Sequence, residues 1–371
     1  MFLEENIVKI FENFTDIDLD NFSFPGIDVH KSVMFDIETT GFSALTSHIY
    51  MIGCLYVEDE RLKSCQYFVE DKEDEIPVLK LFFDLINKYH NLIHFNGDGF
   101  DIPFILTRCK KYDLPNNFDS INSIDIFKDT QCLKRILKLE NHKQKTLERF
   151  LGLNRDDIYS GGDLIAVYNE YLKDKDDEKL SLLLLHNIED IKGLVTLSKL
   201  YPYVLFLKGV FEISGYEINE YTNNEGKLTK EVIFNLKTEF DFTTRISGGY
   251  REFYMSAFGS TAKIKILLYT DELKYFYPNY KDYYYLPVED VAIHKSVAFY
   301  VDKNFRTQAK AANCYSKKTG RFLPQYDTII SPYFKIDYND KISYIELTDD
   351  FLEDKENVCK YLVHALKNIC K

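Results

Sequence analysis

Four acidic positions have the types and spacing to do chemistry together: Asp36 and Glu38 in VMFDIETTGF, Asp101 in HFNGDGFDIPF, and Asp190 in LLHNIEDIKGL. Hard anionic oxygens are what two divalent cations, roughly 3.5–4 Å apart, need around them when they clamp the attacking and leaving oxygens of an in-line displacement at phosphorus. The set therefore reads as a phosphodiester-hydrolysing centre that takes two Mg²⁺ or Mn²⁺ ions. An imidazole, His186, precedes Asp190 by four positions. Its ordinary pKa near 6.5 suits it to orient or deprotonate a water at neutral pH.

The flanking sequence supplies the elements that position these groups. VMFDIE is an apolar, β-branched run that predicts a buried strand, and strand alternation puts Asp36 and Glu38 on one face at its C-terminal end. NLIHF predicts a second short buried strand. It is followed by Asn96-Gly97-Asp98-Gly99-Phe100-Asp101, whose glycines permit a tight turn and whose aspartate opens the next helix. The segment EKLSLLLLHNIEDIKGLVTLSKLYP has helical periodicity, so His186 and Asp190 share a face one turn apart. Asn96 reads as a turn residue, and Asp125 in SIDIF as a strand-end or helix-capping carboxylate.

In this order, D-x-E, N-x-x-x-F-D, then His with Asp four positions on, the residues resemble the DEDD superfamily of 3′-to-5′ exonucleases. DIETTGF, HFNGDGFDIPF, KTLERFLGL and HNIEDIKGL are most similar to the YprB-like bacterial ribonuclease H-like group, over about residues 30–205. The tyrosine-type branch has three residues between Tyr and the last Asp, and the histidine-type has four after its His. Here His186 stands at the tyrosine-type spacing, and because position 191 is Ile, Asp190 is the carboxylate in register. The resemblance implies an α/β ribonuclease H-like fold, a mixed sheet flanked by helices. It implies metal ligation by Asp36, Glu38, Asp101 and Asp190, and a water handled by His186. One cation would lower the pKa of that water and the other would stabilise the leaving 3′-oxygen. Thr39, Thr40, Gly41 and Phe42 would lie against the terminal nucleotide of a nucleic acid, DNA or RNA and single-stranded, with Asn96 beside them. Two alternatives stay open: an endonuclease or structured-RNA nuclease on the same fold, and a non-catalytic nucleic-acid-binding module.

At 371 residues, with 45% apolar content, the chain is long enough for two cores. The expected division is an N-terminal helix and connector over 1–30, a nuclease-like domain over 31–205, and a β-rich α+β domain over 206–371 whose role is open and could be substrate binding. LFLKGVFEIS, EVIFNLKTEF, AKIKILLYT, KSVAFYVDK and DTIISPYFKI have strand length in this last part, and FLEDKENVCKYLVHALKNIC closes the chain as a helix. The seven cysteines show no C-x-x-C pair or zinc spacing, which predicts free thiols in a reducing compartment. There is no apolar run of membrane-spanning length and no basic signal-like N-terminus, so a cytoplasmic location without membrane contact is expected.

The net charge of −13 is uneven: residues 1–205 hold 23 Lys+Arg against 36 Asp+Glu, while 206–371 hold 23 of each. Within the acidic half, Lys134, Arg135, Lys138, Lys143, Lys145 and Arg149 cluster between the second and third motifs; they could touch substrate, but on sequence alone they read more as an exposed helix face. Residues 295–321 mix seven Lys/Arg with Phe299, Tyr300, Phe305 and Tyr315, a pattern that suits either a single-strand grip or a solvated hairpin.

Overall fold

The computed structural model describes residues 8–155, 159, 161–223, 225–226 and 228–371. The chain forms two compact units, one of residues up to Lys134 together with Lys138–Val204, the other of Arg135–Leu137 with Leu205–Lys371.

The first unit is built on six strands: β1 (Lys9–Phe14), β2 (Ser32–Thr39), β3 (Ile49–Glu58), β4 (Arg61–Phe68), β5 (Asn91–His94) and β6 (Asn122–Asp125). Their order in the sheet is β1-β4-β3-β2-β5-β6. The pairs from β1 to β2 are antiparallel, and β2–β5 and β5–β6 are parallel, so the sheet is mixed. Helices α1 (Glu75–Ile86), α2 (Asp101–Tyr112), α3 (Ile126–Asp129), α4 (Lys134–Leu137, whose last three residues belong to the second unit), α5 (Gln144–Phe150), α6 (Gly161–Asp174) and α7 (Asp177–Leu197) follow in chain order. This is the ribonuclease H-like α/β architecture expected from the motifs.

Alternation along β2 decides what each face of the sheet carries. Val33, Phe35 and Ile37 join Leu79 and Phe82 of α1 and Phe104 and Ile105 of α2 in one apolar cluster. Each such side chain, fully buried, contributes about 1.5–3 kcal/mol. On the other side, Tyr50, Met51 and Phe68 pack with Tyr168 and Tyr171 of α6 and Leu180 and Leu183 of α7. A buried ion pair locks the first layer: Arg108 on α2 reaches Glu75 on α1 through Nε at 2.8 Å, and Glu75 Oε1 also accepts from the Ile49 amide at 2.9 Å. The long helix α7 starts where Asp176 caps the Glu178 amide, with Asp177 and Glu178 favourably placed in its first turn.

After α8 (Tyr201–Leu207), the second unit contains β7 (Glu212–Thr222), β8 (Leu228–Tyr250) and β9 (Phe253–Leu267) as one antiparallel sheet. Then come β10 (Tyr269–Phe276), β11 (Tyr283–Leu286), β12 (Val291–His294), α9 (Lys295–Ala298), β13 (Thr307–Gln308), β14 (Tyr315–Gln325), β15 (Ser343–Glu346), α10 (Asp349–Glu353) and α11 (Lys355–Cys370). Among the described residues no helix is long and apolar enough to cross a membrane.

Four local expectations are corrected. The helix expected near the N-terminus is strand β1 over Lys9–Phe14, because KIFENF finds an open sheet edge at β4; residues 1–7 lie outside the described residues. LFLKGVFEIS begins inside α8 and becomes strand only from Glu212. KSVAFYVDK is the short helix α9 and a turn: His294 caps the Ser296 amide, and Phe299 and Tyr300 are 75% and 86% exposed, so no buried face stabilises a strand. DTIISPYFKI forms only isolated bridges, Lys274 to Lys335 and Phe334 to Tyr344, around a cis Ser331–Pro332 bond.

Candidate active site

The parallel pairing of Met34 with Ile93 ends β5 at His94, beside the stretch of β2 that leads into Asp36. Ligand crevices in α/β sheets form outside such strand ends. Asp36 and Glu38 extend beyond that point on β2. The turn after β5 is held by Asn96, whose φ of +64° fits the left-handed region, and it delivers Asp101 to the first position of α2. The Asp101 carboxylate accepts the Ile37 amide at 3.3 Å, tying the helix start to the strand between Asp36 and Glu38.

On α7, His186 and Asp190 face this strand end. His186 Nε2 lies 3.6 Å from Glu38 Oε1 and 3.3 Å from Asp190 Oδ2. One ligand atom from each of Glu38, His186 and Asp190 fits within a sphere of mutual distances below 4.8 Å. Asp36, Asp101, His186 and Asp190 line one cleft of about 840 Å³. The five residues singled out in three separate segments of sequence are thus neighbours in space.

Their electrostatics are those of crowded, poorly hydrated carboxylates. Burial, then the charges of Asp190, Asp101 and Glu38, hold the Asp36 carboxyl well above the usual carboxylate range, with Arg155 pulling the other way. Burial, opposed by the amide hydrogen bonds and reinforced by Asp125 and Asp190, pushes Asp101 up to about 7. Like charges at close range cannot all ionise without a compensating cation.

The residues expected beside a substrate divide. Asn96 lines the cleft, while Thr39, Thr40, Gly41 and Phe42 are not among its lining residues. Thr39 and Thr40 are spent on their own loop, Thr39 Oγ1 donating to Gly41 O at 3.0 Å and Thr40 Oγ1 accepting from the His48 amide at 3.1 Å. Phe42 is 89% exposed, its ring edge-on to Phe100, which does line the cleft. Conversely, Lys134, Lys143, Lys145 and Arg149, read from sequence as an ordinary helix face, stand in the cleft wall.

Several supporting groups escaped the sequence reading. Asn187, fully buried, donates from Nδ2 to Asp36 Oδ2 at 3.3 Å and accepts from Gln66 Nε2 at 3.0 Å. Gly53, opposite Asp36 on β3, makes room for it: a Cβ there would meet Asn187 Oδ1 at 1.9 Å. Tyr50 donates to Glu38 Oε2 at 3.5 Å. Arg155 pairs with Asp190 through Nη1 and with the buried Glu148 through Nη2 at 2.6 Å. Glu148 and Asn187 sit inside the quoted strings KTLERFLGL and HNIEDIKGL, which was their only sequence signal.

A second cluster, His94, Asp98 and Asp125, also brings ligand atoms together. Its atoms are already committed. His94 Nδ1 accepts the Gly97 amide at 3.0 Å and Nε2 meets Ser123 Oγ at 2.8 Å, while Asp125 accepts the Asn96 amide at 2.9 Å and caps α3 at Lys128. It buttresses the Asn96–Asp101 turn, in keeping with the capping role expected of Asp125.

A family model of the RNase_H superfamily matches residues 33–201, the part of the chain that carries the cleft. Among solved structures, a family B DNA polymerase from the hyperthermophilic archaeon Pyrobaculum calidifontis is 16% identical with a TM-score of 0.37, over 48% of this chain and 25% of that one. An ExoI/SSB-Ct complex is 9% identical with a TM-score of 0.27, over 61% of this chain and 54% of that one. The chain therefore spans about a quarter and about half of these two structures. No curated protein matches it.

Proposed function

We propose that the chain is a metal-dependent 3′-to-5′ exonuclease of the DEDD type, closest to the YprB-like group, acting on the 3′ end of single-stranded DNA or RNA in the cytoplasm. The observation that carries this reading is the convergence of Asp36, Glu38, Asp101, His186 and Asp190, from three distant segments, around one cleft. The domain over 31–205 holds the chemistry, and the β-rich domain over 206–371 is assigned to substrate selection.

The donor set fits divalent cations. Four carboxylates crowd the site, the Arg155 guanidinium pairs with one of them, Asp190, and burial and mutual repulsion raise the pKa of Asp36 and Asp101. Asp36, Glu38, Asp101 and Asp190 would hold two Mg²⁺ or Mn²⁺ ions, which when bound activate water and stabilise the leaving oxygen. The Ile37 amide and the Asn187 carboxamide keep Asp101 and Asp36 oriented. His186, with Nε2 at 3.6 Å from Glu38 and 3.3 Å from Asp190, would orient the attacking water and receive its proton.

The test is cleavage of 5′-labelled single- and double-stranded DNA and RNA with Mg²⁺ or Mn²⁺, for wild type, Asp36→Ala and an EDTA control. A metal-dependent ladder shortening from the 3′ end, lost in the variant, supports the proposal. Internal cuts would make it an endonuclease, and binding without any cleavage a non-catalytic module.

A further inference from the structure

We infer that the wall of the cleft formed by the start of α4 and by α5 is a binding track for the phosphate backbone of a single strand, with Lys134, Lys143, Lys145 and Arg149 as its cations. The inference rests on the nuclease reading for its ligand class, but not for its geometry.

Residues 1–205 carry 13 more acidic than basic side chains, and the cleft floor holds three of those carboxylates, Asp36, Asp101 and Asp190. Divalent cations bound at the floor would offset those carboxylates locally, and cations on the wall would hold the strand where it runs beyond them. Four of the domain's basic residues stand on that wall. Three of them, Lys134, Lys143 and Arg149, are also open to a new partner. Lys134 and Lys143 are exposed, and neither ammonium pairs with a carboxylate among the described residues. Arg149 meets Glu140 at 2.8 Å, but both side chains are more than half exposed, which makes that pair weak and easily exchanged for a phosphate. Lys145 donates to the Tyr159 carbonyl at 2.7 Å at the same wall.

The track has aromatic surface as well as charge. Phe95 and Phe127 line the cleft half-buried and pack edge to face, with ring centroids 5.4 Å apart. Cations that follow a backbone, beside rings on which unpaired bases stack, are the combination by which single strands are bound without sequence preference. A duplex keeps its base faces hidden and gains only the charge contacts.

The experiment is fluorescence anisotropy of a short labelled oligothymidylate, and of its duplex, against the full chain carrying Asp36→Ala, at constant Mg²⁺ and varied KCl. Each phosphate contact on a single strand contributes a slope of about −0.7 in log affinity against log salt. Lys134→Ala with Lys143→Ala should therefore reduce the slope by about 1.4, so that the advantage of the parent shrinks about 25-fold over a tenfold rise in salt. Lys110→Ala with Lys111→Ala on α2, an equal change in net charge outside the cleft, should leave the slope unchanged. The same slope in the parent and the Lys134/Lys143 variant, at unchanged thermal midpoint, overturns the inference. So does equal or tighter binding of the duplex. Loss of slope in a protein that cleaves nothing would sink the hydrolase reading and leave the track standing, whereas metal-dependent cleavage with an unchanged slope would do the reverse.

Discussion

Asp101→Asn should stabilise the metal-free protein at pH 8 while removing its response to Mg²⁺. Asp101 is 6% exposed, and burial together with Asp125 and Asp190 raises its folded-state pKa to about 7. In the unfolded chain the same carboxyl titrates near 3.9. Between these values the folded state holds a proton that the unfolded state has released, so wild-type stability falls as pH rises through the window from about 4 to about 7. Three units at 1.36 kcal/mol each set the loss on the order of 4 kcal/mol above pH 7. Asn removes the titration yet keeps an oxygen that can accept the Ile37 amide, now at 3.3 Å. Urea unfolding in EDTA across pH 4–8 should show the gap between variant and wild type widening in favour of the variant. With Mg²⁺ at pH 8 the order should close or invert, because only the wild type gains the linkage free energy of binding. A gap that stays flat with pH would refute the argument that this carboxyl is held protonated by its surroundings.

Two further outcomes follow from the supporting shell. Arg155→Ala should destabilise the fold by about 3–5 kcal/mol, since it strips the buried Glu148 of its guanidinium partner and leaves it, among the described residues, with Gln144 Nε2 at 3.0 Å; chemical denaturation measures this, and the double change with Glu148→Gln should recover much of the loss. Asn187→Leu should cost only about 1–2 kcal/mol in stability, because Gln66 Nε2 keeps the Leu184 carbonyl at 2.9 Å, but it should weaken metal binding about 10–100-fold, as loss of an orienting partner does. Calorimetric titration with Mn²⁺ checks the second figure, and an unchanged affinity would mean that Asn187 does not orient Asp36.

Sequence reasoning brought out the candidate residues because the signals around each are local. A period of two put Asp36 and Glu38 on one face of β2, glycine-rich turn chemistry put Asp101 at the head of α2, and a period of 3.6 put His186 one turn from Asp190 on α7. It failed where a neighbour far along the chain decides. KIFENF is a strand because β4 offers it an edge, and KSVAFYVDK is not one because its Phe299 and Tyr300 stay exposed. Local propensity carries no information about either circumstance.

The same division runs through the candidate site. The sequence by itself determined which carboxylates and which imidazole are present, and on which kinds of element they ride. Only the tertiary structure decided that the three segments meet, that Asn187 and Gly53 fit together behind Asp36, that Arg155 bridges Asp190 and Glu148, and that Lys134, Lys143, Lys145 and Arg149 face the cleft. Backbone periodicity is set by neighbours a few residues away, whereas burial, charge coupling and the making of a cleft depend on pairs separated by tens to more than a hundred residues, and only the folded chain brings those together.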